Sequence, residues 1–150
     1  MSDRVSASIV LGGTISTAVF AQLTALIEQE GLSTEWDGEP FQPADHRCDE
    51  PLSLYAHEVP WGRLTELEDW CIANAVSFAR WSGAFGGEWG AERVVFTGSG
   101  EPTTFAADEA DCIVIGRATV ERLGSMEAIQ AHFDAADFAV PPLIIGDGLS

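Results

Sequence analysis

The stretch that most constrains this chain is residues 52–82, LSLYAHEVPWGRLTELEDWCIANAVSFARWS, because its apolar period changes from two to helical and back to two. Leu52, Leu54 and Ala56 alternate with Ser53, Tyr55 and His57, which predicts a strand with one apolar and one more polar face. Pro60 ends that strand. Leu64, Leu67, Cys71 and Ala75 then recur every three or four residues as one inward stripe of a helix, leaving Glu66, Glu68 and Asp69 toward water. Asn74 is the expected left-handed cap, since its short amide tolerates positive φ. Val76, Phe78 and Arg80 alternate with Ser77, Ala79 and Trp81 as the returning strand. The unit is strand, helix, strand, with the helix laid on one sheet face.

Upstream, residues 5–11, VSASIVL, read as a strand buried on both faces and ended by Gly12 and Gly13. Ser16 or Thr17 can cap the next helix, whose inward stripe is Phe20, Leu23, Leu26 and Ile27 and whose end is Gly31. Residues 33–39, STEWDGE, alternate polar groups around Trp36 and suggest an edge strand. Residues 41–51 show no period and contain Pro43 and Pro51, so they read as a loop. The order from residue 5 to residue 82 is therefore βαββαβ, which resembles the split βαβ, or ferredoxin-like, arrangement of an antiparallel sheet with two helices on one face. That resemblance is one of element order and implies no activity, because the arrangement hosts many unrelated functions.

Downstream, residues 81–90, WSGAFGGEWG, are too rich in glycine for helix or strand, and Trp89 is a candidate contact residue in the resulting loop. Residues 93–97 and 103–107 read as strands around a turn at 98–102, with a third at 111–115, a meander that would extend the sheet. Residues 117–123 form a helix closed by Gly124. Ser125 caps another, with Met126, Ile129 and Phe133 as its inward stripe. Pro141 and Pro142 stop regular structure before 143–145, an edge strand or a contact with a second copy, and 146–150 read as a tail. The fold class expected is α+β: a single domain over 1–150 with an antiparallel sheet of ferredoxin-like order, extended by a C-terminal β-meander and terminal helices.

Charge is the unusual quantity. Twenty-four acidic residues face seven basic ones, all Arg, for a net charge of −17 and a pI near 4.1. A field of that sign repels nucleic acid and anionic membranes and attracts basic protein surfaces. No apolar run is long enough to span a membrane, and the first residues lack a signal-peptide pattern, so a cytoplasmic location is expected. Cys48, Cys71 and Cys112 are far apart with no C-x-x-C pair, which excludes a disulfide framework or zinc ribbon; Cys71 and Cys112 sit among apolar residues and are expected to be buried thiols. The run DHRCDE at 45–50 crowds His46, Cys48 and carboxylates on one loop, where ligands rarely converge, so no metal is expected. Gly12-Gly13 before a helix matches neither phosphate-loop pattern, and no cofactor is expected.

Nothing here requires an enzyme. There is no G-x-S-x-G elbow, and Ser99 falls in a hairpin turn. The reading that follows is a non-enzymatic acidic domain that binds a basic protein surface, as DNA-mimic inhibitors of the anti-CRISPR or anti-restriction class block nucleic-acid-binding complexes. Its contact residues would be Glu28, Glu30, Glu35, Asp37 and Glu39 as one strip off the first helix, Glu66, Glu68 and Asp69 on the second, and Trp89. A different class is a small-molecule enzyme or ligand-binding protein using the open sheet face around Tyr55 and His57. A third is a homo-oligomeric structural protein, a homodimer joined through 143–145 or the sheet face.

Overall fold

A long first strand organises the sheet. The computed structural model describes residues 4–36, 38–43, 46, 50–60, 64–84 and 90–146. Among these the chain forms strands β1 (Arg4–Ile15), β2 (Leu52–Pro60), β3 (Ser77–Ser82), β4 (Glu92–Phe96), β5 (Thr103–Ala106) and β6 (Leu143–Ile145). The helices are α1 (Thr17–Glu30), α2 (Thr65–Ala73), α3 (Arg117–Leu123) and α4 (Met126–Ala136). The fold is α+β, with one sheet in the order β2-β1-β3-β4-β5, antiparallel throughout; β6 joins it by pairing in parallel with the end of β1.

Alternation along β1 sorts the core. Ala7, Ile9 and Leu11 are fully buried, opposite Ala56, Leu54 and Leu52 on β2 and opposite Ser82, Arg80 and Phe78 on β3. Leu23 and Ile27 of α1 and Leu67 and Cys71 of α2 close over that face. Ser6, Ser8 and Val10 are only half-buried, so β1 is not covered on both faces as its composition suggests. Local signals hold at the helix ends. The Ser16 and Ser125 side chains accept N–H bonds from Val19 and Ala128, and Gly31 and Gly124 take left-handed conformations after α1 and α3.

Elsewhere longer-range contacts override the local pattern. Residues 33–39 do not form a strand: Ser33 alone bridges to Tyr55 and to Pro40, and the chain turns between them. Residues 111–115 reduce to one bridge, Ala107 to Ile113, because the Asp108 carboxylate accepts N–H bonds from Ala110 and Cys112 and curls the chain through Asp111 at φ 60. After α2 the left-handed position is Ala75, at φ 56, and Asn74 instead donates its amide to the Trp70 carbonyl. Ala75 is therefore exposed and off the helix stripe. Met126 is 67% exposed; α4 buries Ala136, which packs on Val95 and Phe105 of the opposite sheet face. Cys112 is exposed while Cys71 is buried.

Among the described residues Arg80 is the one guanidinium placed among core residues, on the helix-covered face of β3 and only 2% exposed. Its Nε lies 2.8 Å from Glu68 Oε2 and its Nη2 3.0 Å from Glu92 Oε2, while Nη1 donates to Ser82 Oγ at 2.9 Å. A buried charge persists only when paired and hydrogen-bonded. Glu68 therefore turns toward the sheet, where it also accepts the Leu64 N–H, and does not face water as its place on α2 suggested.

Gly12 and Gly13 do not end β1. They lie inside it, where the chain of residues 140–142 crosses. A Cβ on Gly12 would stand 1.9 Å from the Pro141 carbonyl oxygen and 2.7 Å from Val140 Cγ1. Gly13 N–H donates to Pro142 O, and Leu143 then pairs with Gly13, its side chain fully buried. Residues 143–145 are thus used within the chain. Glu50 O accepts the Leu143 N–H, and His46 Nε2 lies 2.7 Å from the Leu143 carbonyl, which fixes the crossing from its other side. Gly12→Ala is expected to destabilise by about 2 kcal/mol or more, because a backbone carbonyl cannot swing aside as a side chain can. Gly90→Ala, where a Cβ meets nothing within 4 Å, should stay within about 0.5 kcal/mol of the parent in urea unfolding. Equal midpoints for the two variants would refute the close approach.

Candidate functional site

Two surfaces gather the residues singled out in the sequence. On the helix layer, the last turn of α1 meets the first turns of α2. Glu28, Glu66 and Asp69 are exposed, and Glu30 is half-buried at the seam. Gln29 of α1 donates its amide to the Glu66 carboxylate, tying the two helices together. Burial, then the nearby Glu66 and Glu68 carboxylates, push the Glu30 carboxyl above its ordinary value. Among the described residues no ion pair joins Glu28, Glu30, Glu66 or Asp69 to a cation. Among the described residues the charge of the seam is therefore uncompensated. Glu68, engaged by Arg80, contributes to its field from beneath.

The proposed acidic strip does not run on unbroken past α1. Glu35 and Glu39 are exposed on the turn that follows, but that turn is drawn to the other face of the sheet. Ser33 and Tyr55 exchange both backbone hydrogen bonds, and Ser33 Oγ donates to Gly38 O. Those bonds hold Trp36 over β2, with ring centroids 4.9 Å from Tyr55 and 5.0 Å from His57, and its ring edge-on to Trp81 at 6.5 Å. Asp37 and Trp89 lie outside the described residues.

Beneath Trp36 the open sheet face forms a trough. Its first compartment, about 310 Å³, is floored by Ser8, Val10, Tyr55 and Trp81 and walled by Trp36 and the 109–111 turn. A second compartment of about 250 Å³ continues over Ala79 toward Phe138 and Val140. Ser8 stands opposite both Tyr55 and Trp81 in the ladder, which is why these side chains share a face. The far wall is pinned by Arg93, whose Nη2 donates to Asp111 O at 2.7 Å and whose Nη1 donates to Ala136 O at 2.8 Å, with ion pairs to Asp111 and Asp137. Trp81 Nε1 donates to Asp108 O, and Glu109 accepts the Ala84 N–H at 2.7 Å.

Tyr55 and His57 do share the trough face, as their alternation predicts. His57 is exposed, with Nδ1 2.9 Å from Ser6 Oγ. The sequence did not mark Trp36, Trp81, Arg93 or Glu109 as neighbours of this pair. The alternation of Ser6 and Ser8 on β1 was the available signal, because small polar residues on one face of a central strand leave room above it. Burial raises the Cys71 thiol far above its ordinary value, and Glu68 adds to the effect, so this sulfur stays protonated and unreactive. Among the described residues no group of three or more His, Cys, Asp or Glu is placed to hold a metal ion, and no helix is long and apolar enough to cross a membrane. Compared with known proteins, the chain matches no family model, no curated protein and no solved structure.

The Glu30 shift gives a signed prediction. A carboxyl whose pKa is higher folded than unfolded binds its proton more tightly in the folded state, so its contribution to stability falls as pH rises through that window. At neutral pH the charge is a penalty. Glu30→Gln should therefore stabilise the protein at pH 7 by about 0.5 kcal/mol, from relieved burial of a charge first and relieved repulsion by Glu66 and Glu68 second. The gain should vanish near pH 3, where carboxyls are protonated, and shrink with added salt (about pH 3 being below the usual carboxylate range). Denaturant midpoints across pH check this; a gain independent of pH and salt would contradict it.

Proposed function

We propose that this chain is a non-enzymatic protein-binding domain whose acidic surface engages a basic partner, with the seam between α1 and α2 as the centre of the contact. The observation that carries the reading is the gathering of acids where α1 meets α2: Gln29 bonds to the exposed Glu66, and Glu30 lies half-buried at the same seam, its carboxyl raised by burial first and by Glu66 and Glu68 second. A partner's cation placed there interacts with several carboxylates at once and relieves their repulsion. Exposed Glu28 on α1 and exposed Glu66 and Asp69 on α2 are the charges assigned to this contact, while Glu35 and Glu39 stand apart from it on the turn drawn toward the other sheet face.

The sharper form of the proposal is competition for a nucleic-acid-binding groove, with carboxylates standing where phosphates would, in the manner of anti-CRISPR or anti-restriction inhibitors. The net charge of −17 supports the sign of that interaction. The succession β1, α1, β2, α2, β3, with β1 between β2 and β3, is compatible with ferredoxin-like order in which the second strand has shrunk to the Ser33 bridge. That order would supply a scaffold and no chemistry.

A second reading has its own observation. The trough beneath Trp36 gathers aromatic and hydroxyl groups on the face that holds Tyr55 and His57, and supports a ligand-binding role there.

The first reading is tested by pull-down at low salt. A basic nucleic-acid-processing protein should be recovered, duplex DNA should compete for it, and the combined variant Glu28→Gln, Glu66→Gln, Asp69→Asn should lower recovery about tenfold. Raising salt to about 0.5 M should abolish recovery. Capture that ignores both salt and the triple variant would refute the seam as the contact.

A further inference from the structure

We infer that the trough on the open sheet face is a docking site for an arginine side chain presented by a basic partner segment. The inference rests on the second reading above and names its ligand; it does not depend on the seam between α1 and α2, which lies on the other side of the sheet.

Three features of the first compartment select a guanidinium. The first is its aromatic lining: Trp36, Tyr55 and Trp81 border one cavity, and a planar cation gains from the negative faces of such rings. The second is its charge. Glu109 and Asp111 line the compartment; Asp111 is paired with Arg93 of the next compartment, which Asp137 also meets, and Glu109 is left as a carboxylate whose described partner is a neutral backbone N–H. The rim is therefore net negative, and an incoming cation would complete it. The third is its set of acceptors. Among the described residues neither the Ser8 hydroxyl nor the Tyr55 phenol takes part in a hydrogen bond, although both lie half-buried on the floor.

A guanidinium presents a rigid fork of donors that can serve a carboxylate and two hydroxyls while its plane lies against a ring. A neutral apolar side chain would leave those hydroxyls unbonded and the Glu109 charge unmet by a cation. A lysine would supply a point charge but no plane to stack. The second compartment makes the occupant a peptide. It continues the same floor through Val10 and Ala79 to Phe138 and Val140, with Arg93 and Asp111 also on its wall, and leaves room for a residue flanking the arginine.

The test uses the full chain and the peptide acetyl-Leu-Arg-Leu-amide, followed by calorimetry and by the indole N–H resonances of the tryptophans. The arginine peptide should perturb the Trp36 and Trp81 resonances. Its citrulline counterpart, which keeps the shape and loses the charge, should bind at least about tenfold more weakly. Trp36→Ala should cost about tenfold, and Glu109→Gln, whose amide oxygen can still accept the Ala84 N–H, about threefold or more. Trp36 is 41% exposed, so its loss should leave the fold intact, which circular dichroism checks. The pair Glu66→Gln, Asp69→Asn should leave affinity within about twofold, since those charges lie a screened distance away.

Equal binding of citrulline and arginine peptides would overturn the arginine assignment while leaving a ligand trough in place. Binding abolished by the seam variants but indifferent to Trp36→Ala would move the contact to α1 and α2 and overturn the inference. No saturable binding by either peptide at millimolar concentration would remove the trough as a site altogether.

Discussion

β1 is hydrogen-bonded along both of its edges, and the rest of the fold takes its position from that strand. Its pairing with β2 and β3 consumes residues 4–12, and its last three residues pair with β6. Because side chains on a strand alternate, this one ladder sends Ala7, Ile9 and Leu11 into the helix-covered core and leaves Ser6, Ser8 and Val10 to floor the opposite face. A slip of one residue would exchange the two sets. Gly12 adds a steric condition: the crossing of residues 140–142 needs a strand position without a side chain.

Scarcity of cations shapes the remainder. Arg80 and Arg93 each take two carboxylates for structural work, Arg80 beneath α2 and Arg93 between β4, the 108–111 turn and the end of α4. Neither spreads its charge over the surface. Arg80 secures Glu68 within the fold, and Arg93 holds down the wall of the trough. Among the described residues no guanidinium pairs with the exposed acids Glu28, Glu66 and Asp69. Two of the seven arginines are thus engaged in holding the fold together.

The two faces of the sheet offer different chemistry. The helix face is closed by apolar packing and presents charge on top of it, which suits long-range attraction that weakens with salt. The opposite face is only partly covered, by Trp36 at one end and by α4 and Phe138 at the other, and the aromatic rings between them suit short-range recognition. The acidic seam and the trough lie on opposite sides of one sheet, so a partner that used both would have to wrap its edge.

Much of the scaffold was legible in the residues. The change of period across 52–82 located β2, α2 and β3; Ser16, Gly31, Gly124 and Ser125 located helix ends; and the acid count set the sign of the field. Those features follow from rules acting over a few neighbouring residues, where backbone conformation and side-chain direction are set locally. The second expected edge strand, the role of Gly12 and Gly13, the inward turn of Glu68 and the exposure of Met126 were decided by contacts with distant parts of the chain. Composition determined that this protein is strongly acidic, and local apolar periodicity that it is built from both helix and strand. Tertiary structure alone decided that Glu68 turns inward to Arg80 and that Trp36 lies over Tyr55 and His57, because neighbours across a sheet are chosen by strand pairing and not by distance along the sequence.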